Sequence, residues 1–266
     1  MNYSNLHTHT TFSDGIGSVK ENIEAAINKN MQSLGFSDHS FTDCDKSYCM
    51  KLEDFDEYLL TVNNAKSEYK DKIKIFTGIE KDYFSDIDVK AFDYFIGSVH
   101  YVIKNDICYP IDHSAKQQLD CIADAFGGSA MDFAKCYFDM VVEQAIKYKP
   151  TLIGHFDVIN KFSLMPENDD KYIQLTLDSV AEILKYTKVF EVNTGAISRG
   201  YRSVPYPNIP VLEFLYKKGG VITLGSDSHN PKNLDFFFSE SIEIIKKVGF
   251  KEIAVFNGTD FDMVKI

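Results

Sequence analysis

The sequence predicts an α/β fold in which one domain, residues 1–266, forms a closed or nearly closed barrel of about seven parallel strands. Three observations carry that prediction. Short apolar or β-branched runs recur along the chain, stretches with helical spacing lie between them, and every run but one ends in a residue able to ligate a metal. The length alone would suit two small domains equally well.

The first strand is expected at Tyr3–Leu6, followed by a helix from Val19 to Lys29 with Ile23, Ala26 and Ile27 on one face. Strands follow at Ser33–Phe36, Ile73–Ile79 and Tyr94–Val99. The stretch from Tyr101 to Lys149 is too long for a simple crossover. It holds an irregular piece (Asn105–Ser114), a Gly127-Gly128 break and a helix from about Met131 to Tyr148, and reads as an elaborated loop covering a site. Beyond it come a strand at Thr151–Ile153, a helix over Leu175–Leu184 and a strand at Val189–Val192. A helix over Val211–Tyr216, closed by Gly219-Gly220, then leads to a strand at Val221–Leu224. Ile253–Phe256 is the candidate for an eighth, short strand.

Composition narrows the function. The chain is 44% hydrophobic and 25% charged, as an ordinary globular protein is. A formal net charge of −11 repels phosphate backbones and argues against nucleic acid as a partner. A small anionic substrate remains compatible if a local cationic site overrides the global field. The five cysteines, at positions 44, 49, 108, 121 and 136, match no zinc-ribbon or CxxC pattern and are expected as free thiols in a reducing compartment. The N-terminus has no signal-peptide pattern and no apolar run is long enough to span a bilayer, so the cytoplasm is the expected location, with no membrane partner. Oligomeric state leaves no trace in the sequence.

The strand ends carry the chemistry. Leu6 is followed by His7-Thr8-His9, Phe36 by Ser37-Asp38-His39, Ile79 by Glu80, Val99 by His100, Ile153 by Gly154-His155, and Leu224 by Gly225-Ser226-Asp227-Ser228-His229. In barrels of parallel strands this end forms the active site. His7 and His9 are two apart on extended chain and face one side, as are Asp227 and His229. Imidazole and carboxylate are the usual ligands of zinc, manganese and iron in hydrolases. Asp14, in a turn-like stretch just past the first pair, can fold back as another ligand. A lone His100 or His155 would more often be a hydrogen-bonded core histidine, Asp14 a turn cap, and Glu80 one half of an ion pair with Lys81. Six of seven histidines at strand ends make the joint reading a metal cluster. The seventh, His113, fits no strand end.

The only two arginines, Arg199 and Arg202, both follow the sixth strand, the one without a ligand. A guanidinium fork suits phosphate, and the position of Arg199 above the barrel mouth favours that role over a solvated loop residue.

In this order and spacing, His7-Thr-His9, Ser37-Asp-His39, Gly78-Ile-Glu80, Gly97-Ser-Val-His100, Gly154-His155 and Ser226-Asp-Ser-His229 resemble the polymerase and histidinol phosphatase (PHP) superfamily. Tyr109-Pro-Ile-Asp-His-Ser114, Glu191-Val-Asn-Thr-Gly195, Ser198-Arg-Gly200 and Tyr206-Pro207 resemble its histidinol-phosphate phosphatase branch. The resemblance implies a distorted (β/α)7 TIM-like barrel with up to three divalent metal ions (zinc, manganese or iron). One would take His7, His9, Glu80 and Asp227. A second would share Glu80 and add His100 and His155, and a third would take Asp14, His39 and His229. Some superfamily members have histidine near the Asp14 position. The branch often carries a basic residue after the Gly-His motif, and here that residue is Lys161.

The implied reaction is hydrolysis of a small phosphorylated metabolite, L-histidinol phosphate, to L-histidinol and phosphate, in histidine biosynthesis. Metal binding makes water a nucleophile at neutral pH, and Arg199 neutralises phosphoryl charge. Asp227 and His39 stand near the leaving oxygen, while Lys161, His113 and Arg202 are the further substrate contacts. The alternatives are a PHP phosphoesterase acting on another small phosphate or on nucleic acid, and a non-enzymatic, metal-stabilised binding protein.

Overall fold

A computed structural model describes residues 3–266. The chain begins with β1 (Ser4–Asn5), α1 (Val19–Asn28), β2 (Ser33–Phe36), α2 (Phe55–Glu68), β3 (Lys74–Asp82) and β4 (Tyr94–Ser98). The long insertion contributes β5 (Tyr101–Lys104), β6 (Ile107–Pro110), α3 (Ala115–Phe126) and α4 (Ala130–Tyr148). Then come β7 (Leu152–Ile153), α5 (Asp170–Ile183), β8 (Val189–Asn193), α6 (Gly195–Ser198), α7 (Ile209–Lys218), β9 (Val221–Gly225) and α8 (Phe238–Val248). A final pair, β10 (Glu252–Phe256) and β11 (Phe261–Lys265), ends the chain.

Seven strands form one sheet in the order β1-β2-β3-β4-β7-β8-β9, and every pairing in it is parallel. All four residues of β2 and all five of β8 are buried, as strands covered on both faces must be. Among the described residues the sheet closes only at its mouth. Thr8 bridges Ser228 in parallel, with the His9 amide donating to the Ser228 carbonyl (2.9 Å) and the Ser228 amide to the His7 carbonyl (3.2 Å). The bonds that close the barrel therefore run through the two ligand-bearing motifs. This is the nearly closed, distorted barrel the sequence implied.

The helices start and stop where local chemistry says they should. Ser18 and Glu21 form a capping box on α1. Asn208 caps α7, which has a proline in its first turn and ends on left-handed Gly219. No helix among the described residues is long and apolar enough to cross a membrane.

Three expectations are corrected. Ile253–Phe256 lies within β10, which pairs antiparallel with β11 and stays out of the barrel. The turn at Asn257–Asp260 returns the chain to satisfy that strand, and the barrel has already closed through Thr8 and Ser228. Ala254 and Phe256 instead pack with Leu6, Phe76, Tyr94, Leu152 and Val189. Second, Asn105–Ser114 is irregular only in its last four residues, 111–114. Asn105 and Asp106, at φ 51 and 62, make the two-residue turn of a hairpin between β5 and β6. Third, the five cysteines are not all free: Cys44 and Cys108 are joined in a disulfide with Cα atoms 5.6 Å apart, and Cys49, Cys121 and Cys136 remain thiols. Their separation of 64 residues hid a pair that the hairpin and the segment after β2 bring together.

Candidate metal centre

Every barrel strand end but that of β8 delivers a ligand side chain to one cluster. Glu80, near the end of β3, is buried at the centre. Its Oε1 lies 2.9 Å from His155 Nε2 and 3.4 Å from His100 Nε2. Its Oε2 lies 2.8 Å from His39 Nδ1, 3.3 Å from His7 Nε2 and 3.6 Å from His9 Nε2. The two carboxylate oxygens thus serve two different sets of imidazoles. Asp227 Oδ1 sits 3.3 Å from His9 Nε2 and 3.8 Å from His7 Nε2. Asp14 folds back as expected, with Oδ1 3.2 Å from His229 Nε2 and 3.7 Å from His39 Nε2.

A divalent cation fits this donor set. Ligand atoms fall into overlapping groups, among them His7, His9 and Asp227; His7, Glu80 and His155; His39, Glu80 and His100; and His9, Asp14, His39 and His229. His7 Nε2, His9 Nε2 and Glu80 Oε2 are buried with no hydrogen-bond partner, which is costly for polar atoms unless something binds there. Burial disfavours a charged Glu80, yet His7, His39 and His100 around it outweigh that and hold its carboxyl well below the usual range. Asp227 is likewise held down against burial by Arg199 and His7. Anionic oxygens and imidazole nitrogens aimed at shared points are the ligand chemistry of zinc, manganese or iron.

Outer carboxylates aim the imidazoles. His7 Nδ1 donates to Glu191 on β8 (2.8 Å), which also accepts from the His155 amide (3.0 Å) and the Asn193 side chain (2.8 Å). His100 Nδ1 donates to Asp82 (3.2 Å), leaving Nε2 toward Glu80. Asp38 accepts from the Thr10 amide (2.7 Å) and the Ser13 hydroxyl (2.6 Å), which fixes the turn presenting Asp14. Sequence reasoning assigned none of these three a role. A signal existed for Asp82, two residues past Glu80 on one strand and so on the same side.

Beside the cluster a cavity of about 320 Å³ opens. Arg199 lines it, with Nη2 2.9 Å from Asp227 Oδ2 and Nη1 3.2 Å from the Asp227 carbonyl. Asp227 itself is left-handed (φ 48), unusual for a non-glycine residue and typical of a functional corner. Lys161 also lines the cavity, its Nζ on the Asp112 carbonyl (2.6 Å) and carboxylate (3.2 Å). His113 is at the exposed rim. Asp45, Tyr48, Tyr101, Pro110 and Asp112 complete the wall, none of them given a role from sequence. Arg202 is not at this cavity. It forks onto Glu167 (3.1 and 3.0 Å) and reaches the Asn160 carbonyl, because the chain turns away at left-handed Gly200.

The comparisons with known proteins agree with this geometry. Residues 5–195 match the sequence profile of the PHP domain. The chain is 29% identical over 265 residues to a protein of Schizosaccharomyces pombe named "Probable histidinol-phosphatase", covering 90% of this chain and 84% of that one. It is 25% identical to the histidinol-phosphatase of Lactococcus lactis subsp. lactis, over 100% of this chain and 98% of that one. A crystal structure of histidinol phosphate phosphatase from Lactococcus lactis, complexed with zinc, L-histidinol and phosphate, shares the fold with a TM-score of 0.67. That match has 23% identity and covers 98% of this chain and 99% of that one.

Proposed function

This chain belongs to the PHP domain family, and from that premise we propose that it is a metal-dependent phosphomonoesterase converting L-histidinol phosphate to L-histidinol and phosphate. The observation that carries the reading is the convergence of six histidines, Glu80, Asp14 and Asp227 beside a cavity holding an arginine and a lysine. The names of relatives aligned over nearly the whole chain support the substrate. We assign the reaction to histidine biosynthesis in the cytoplasm, and residues 1–266 to one phosphoesterase domain.

In this reading His7, His9, Glu80 and Asp227 hold one cation, Glu80, His100 and His155 a second, and Asp14, His39 and His229 a third. When bound, the ions supply Lewis acidity and make water a nucleophile at neutral pH. Glu191 and Asp82 keep His7 and His100 in the tautomers that point Nε2 inward. Arg199 and Lys161 meet the phosphoryl oxygens, Arg199 with a fork and Lys161 with a point charge. A water or protonated side chain near Asp227, bonded to Arg199, or near His39, beside Glu80, protonates the departing oxygen. His113 stands at the rim, where the rest of the substrate leaves the cavity.

The test is phosphate release from histidinol phosphate, an aryl phosphate and single-stranded DNA, each with and without chelation. Histidinol phosphate should be turned over with far the highest efficiency, and only by metal-replete protein. Preference for DNA, or undiminished turnover after exhaustive chelation, would overturn the reading. The chain's net charge of −11 argues against the nuclease.

A further inference from the structure

Cys44 and Cys108 join two chain segments whose neighbouring residues line the cavity, while neither cysteine lines it itself. Cys44 lies in the irregular segment after β2, one residue before Asp45 and four before Tyr48, both of which line the cavity. Cys108 lies on β6, two residues before Pro110 and four before Asp112, which line it together with Tyr101. Apart from the disulfide, the walls meet through modest contacts: Tyr101 donates to Asp45 Oδ2 at 3.2 Å, and the Tyr48 and Tyr101 rings stack 6.0 Å apart. The segment 41–50 has no regular structure, and the hairpin tip exposes Ile103 and Ile107. Both bonded cysteines are partly exposed, whereas Cys49 and Cys121 are buried.

We propose that Cys44 and Cys108 form a reversible redox site that fastens the cavity's rim and so sets how tightly the non-phosphate end of the substrate is held. Glu80 sits on a barrel strand, and the ligand histidines and Asp227 follow within four residues of strand ends tied by the parallel ladder, so the bond acts on binding and leaves the hydrolytic step in place. The bond is made by exchange with a small-molecule disulfide. One cysteine thiolate attacks that disulfide, forming a mixed disulfide and expelling one thiol. The other cysteine thiolate then attacks the mixed sulfur and expels the second thiol. Overall, one protein dithiol and one small disulfide become one protein disulfide and two small thiols. The effect on substrate rests on the phosphatase reading above; the site itself does not.

Holoprotein is incubated with glutathione disulfide or with a phosphine reductant and desalted. Thiols are then titrated in denaturant. Three are expected in the oxidised form and five in the reduced form, with Cys44 and Cys108 joined in the peptide map. Hydrogen exchange over residues 41–50 and 101–114 should be faster in the reduced form. KM for histidinol phosphate should rise on reduction by about 2- to 10-fold, the cost of ordering one or two more side chains, with kcat nearly constant. The Cys44→Ser/Cys108→Ser variant should match the reduced form and ignore reductant, which separates the bond from any effect of reductant on metal. Five thiols after oxidation, or equal exchange in both states, would overturn the site. A bond that forms without changing KM would overturn its coupling to substrate. Phosphate release from neither form would sink the phosphatase reading, while thiol count and exchange still decide the redox site.

Discussion

His7 Nδ1 lies 2.8 Å from Glu191 Oε1 at the closed side of the barrel, so the imidazole presents Nε2 to the cluster and nothing else. The seat for Glu191 is tight: a Cβ on Gly225 would overlap its carboxylate. Glu191→Gln keeps the shape but removes the charge that fixes the His7 tautomer. It should weaken metal affinity or activity by about 10- to 100-fold, the usual cost of losing such a partner. Metal content after competition with a graded chelator checks this, and wild-type retention would show that the tautomer is held by other means.

Metal uptake should tighten as pH rises. Burial disfavours a charged His7, but Glu191, Glu80 and Asp227 outweigh it and raise its pKa well above 6.5. His100 is raised against burial in the same way by Glu80 and Asp82. In the metal-free protein these histidines add stability that is complete below the ordinary histidine pKa and is lost as pH climbs through the raised values. An incoming cation must displace the same protons. Between about pH 6 and 9, the metal-free Tm should therefore fall while metal affinity increases. Competition titrations and scanning calorimetry across that range test both halves, and a pH-independent affinity would contradict them.

Gly195 makes room for the pair beside it. A Cβ there would lie 2.7 Å from Asp227 Oδ2 and 2.9 Å from Arg199 Nη2. Gly195→Ala should displace one partner and lower kcat/KM by about 10- to 100-fold, as a misplacement near 1 Å can. Folding should change much less, since the residue begins a four-residue helix at the mouth. Steady-state kinetics alongside thermal melts distinguish this from simple destabilisation, which would lower Tm in step with activity.

The barrel and its ligands were legible because parallel strands buried on both faces read as apolar runs, and the residue after each run falls at the mouth. That rule located His7, His9, His39, Glu80, His100, His155, Asp227 and His229 without coordinates. It could not locate groups that act across strands. Glu191 points at His7 from 184 residues away, and the Cys44–Cys108 pair spans 64. Helix α2 went unmarked because its buried residues, Tyr58, Val62 and Ala65, are few among polar ones. Sequence alone ranks Arg202 behind Arg199 yet keeps it as a substrate contact, and the turn at Gly200 separates the cavity arginine from one clamped on Glu167.

Arg199 should matter more than its exposure suggests. Nη2 lies 2.9 Å from Asp227 Oδ2 and Nη1 3.2 Å from the Asp227 carbonyl, so one side of the guanidinium is anchored and the group is preorganised at the cavity. Burial opposes its charge, but Asp227 outweighs burial and raises its pKa further, so it stays cationic. A preorganised fork beside the phosphoryl site strengthens its hold as negative charge grows on the phosphoryl oxygens, so its loss should lower turnover as well as binding. Arg199→Ala should cost about two to four orders of magnitude in kcat/KM for histidinol phosphate, in the range seen when other transition-state charge stabilisers are removed. Arg199→Lys should recover only part, because an ammonium is a point charge without the planar fork that pairs two oxygens at once. Metal content should stay near wild type, since Asp227 keeps His7 and His9 as neighbours. Kinetics and metal analysis on the same preparations decide the matter. Wild-type efficiency in metal-replete Arg199→Ala would move the phosphate-binding role to Lys161, the other cation lining the cavity.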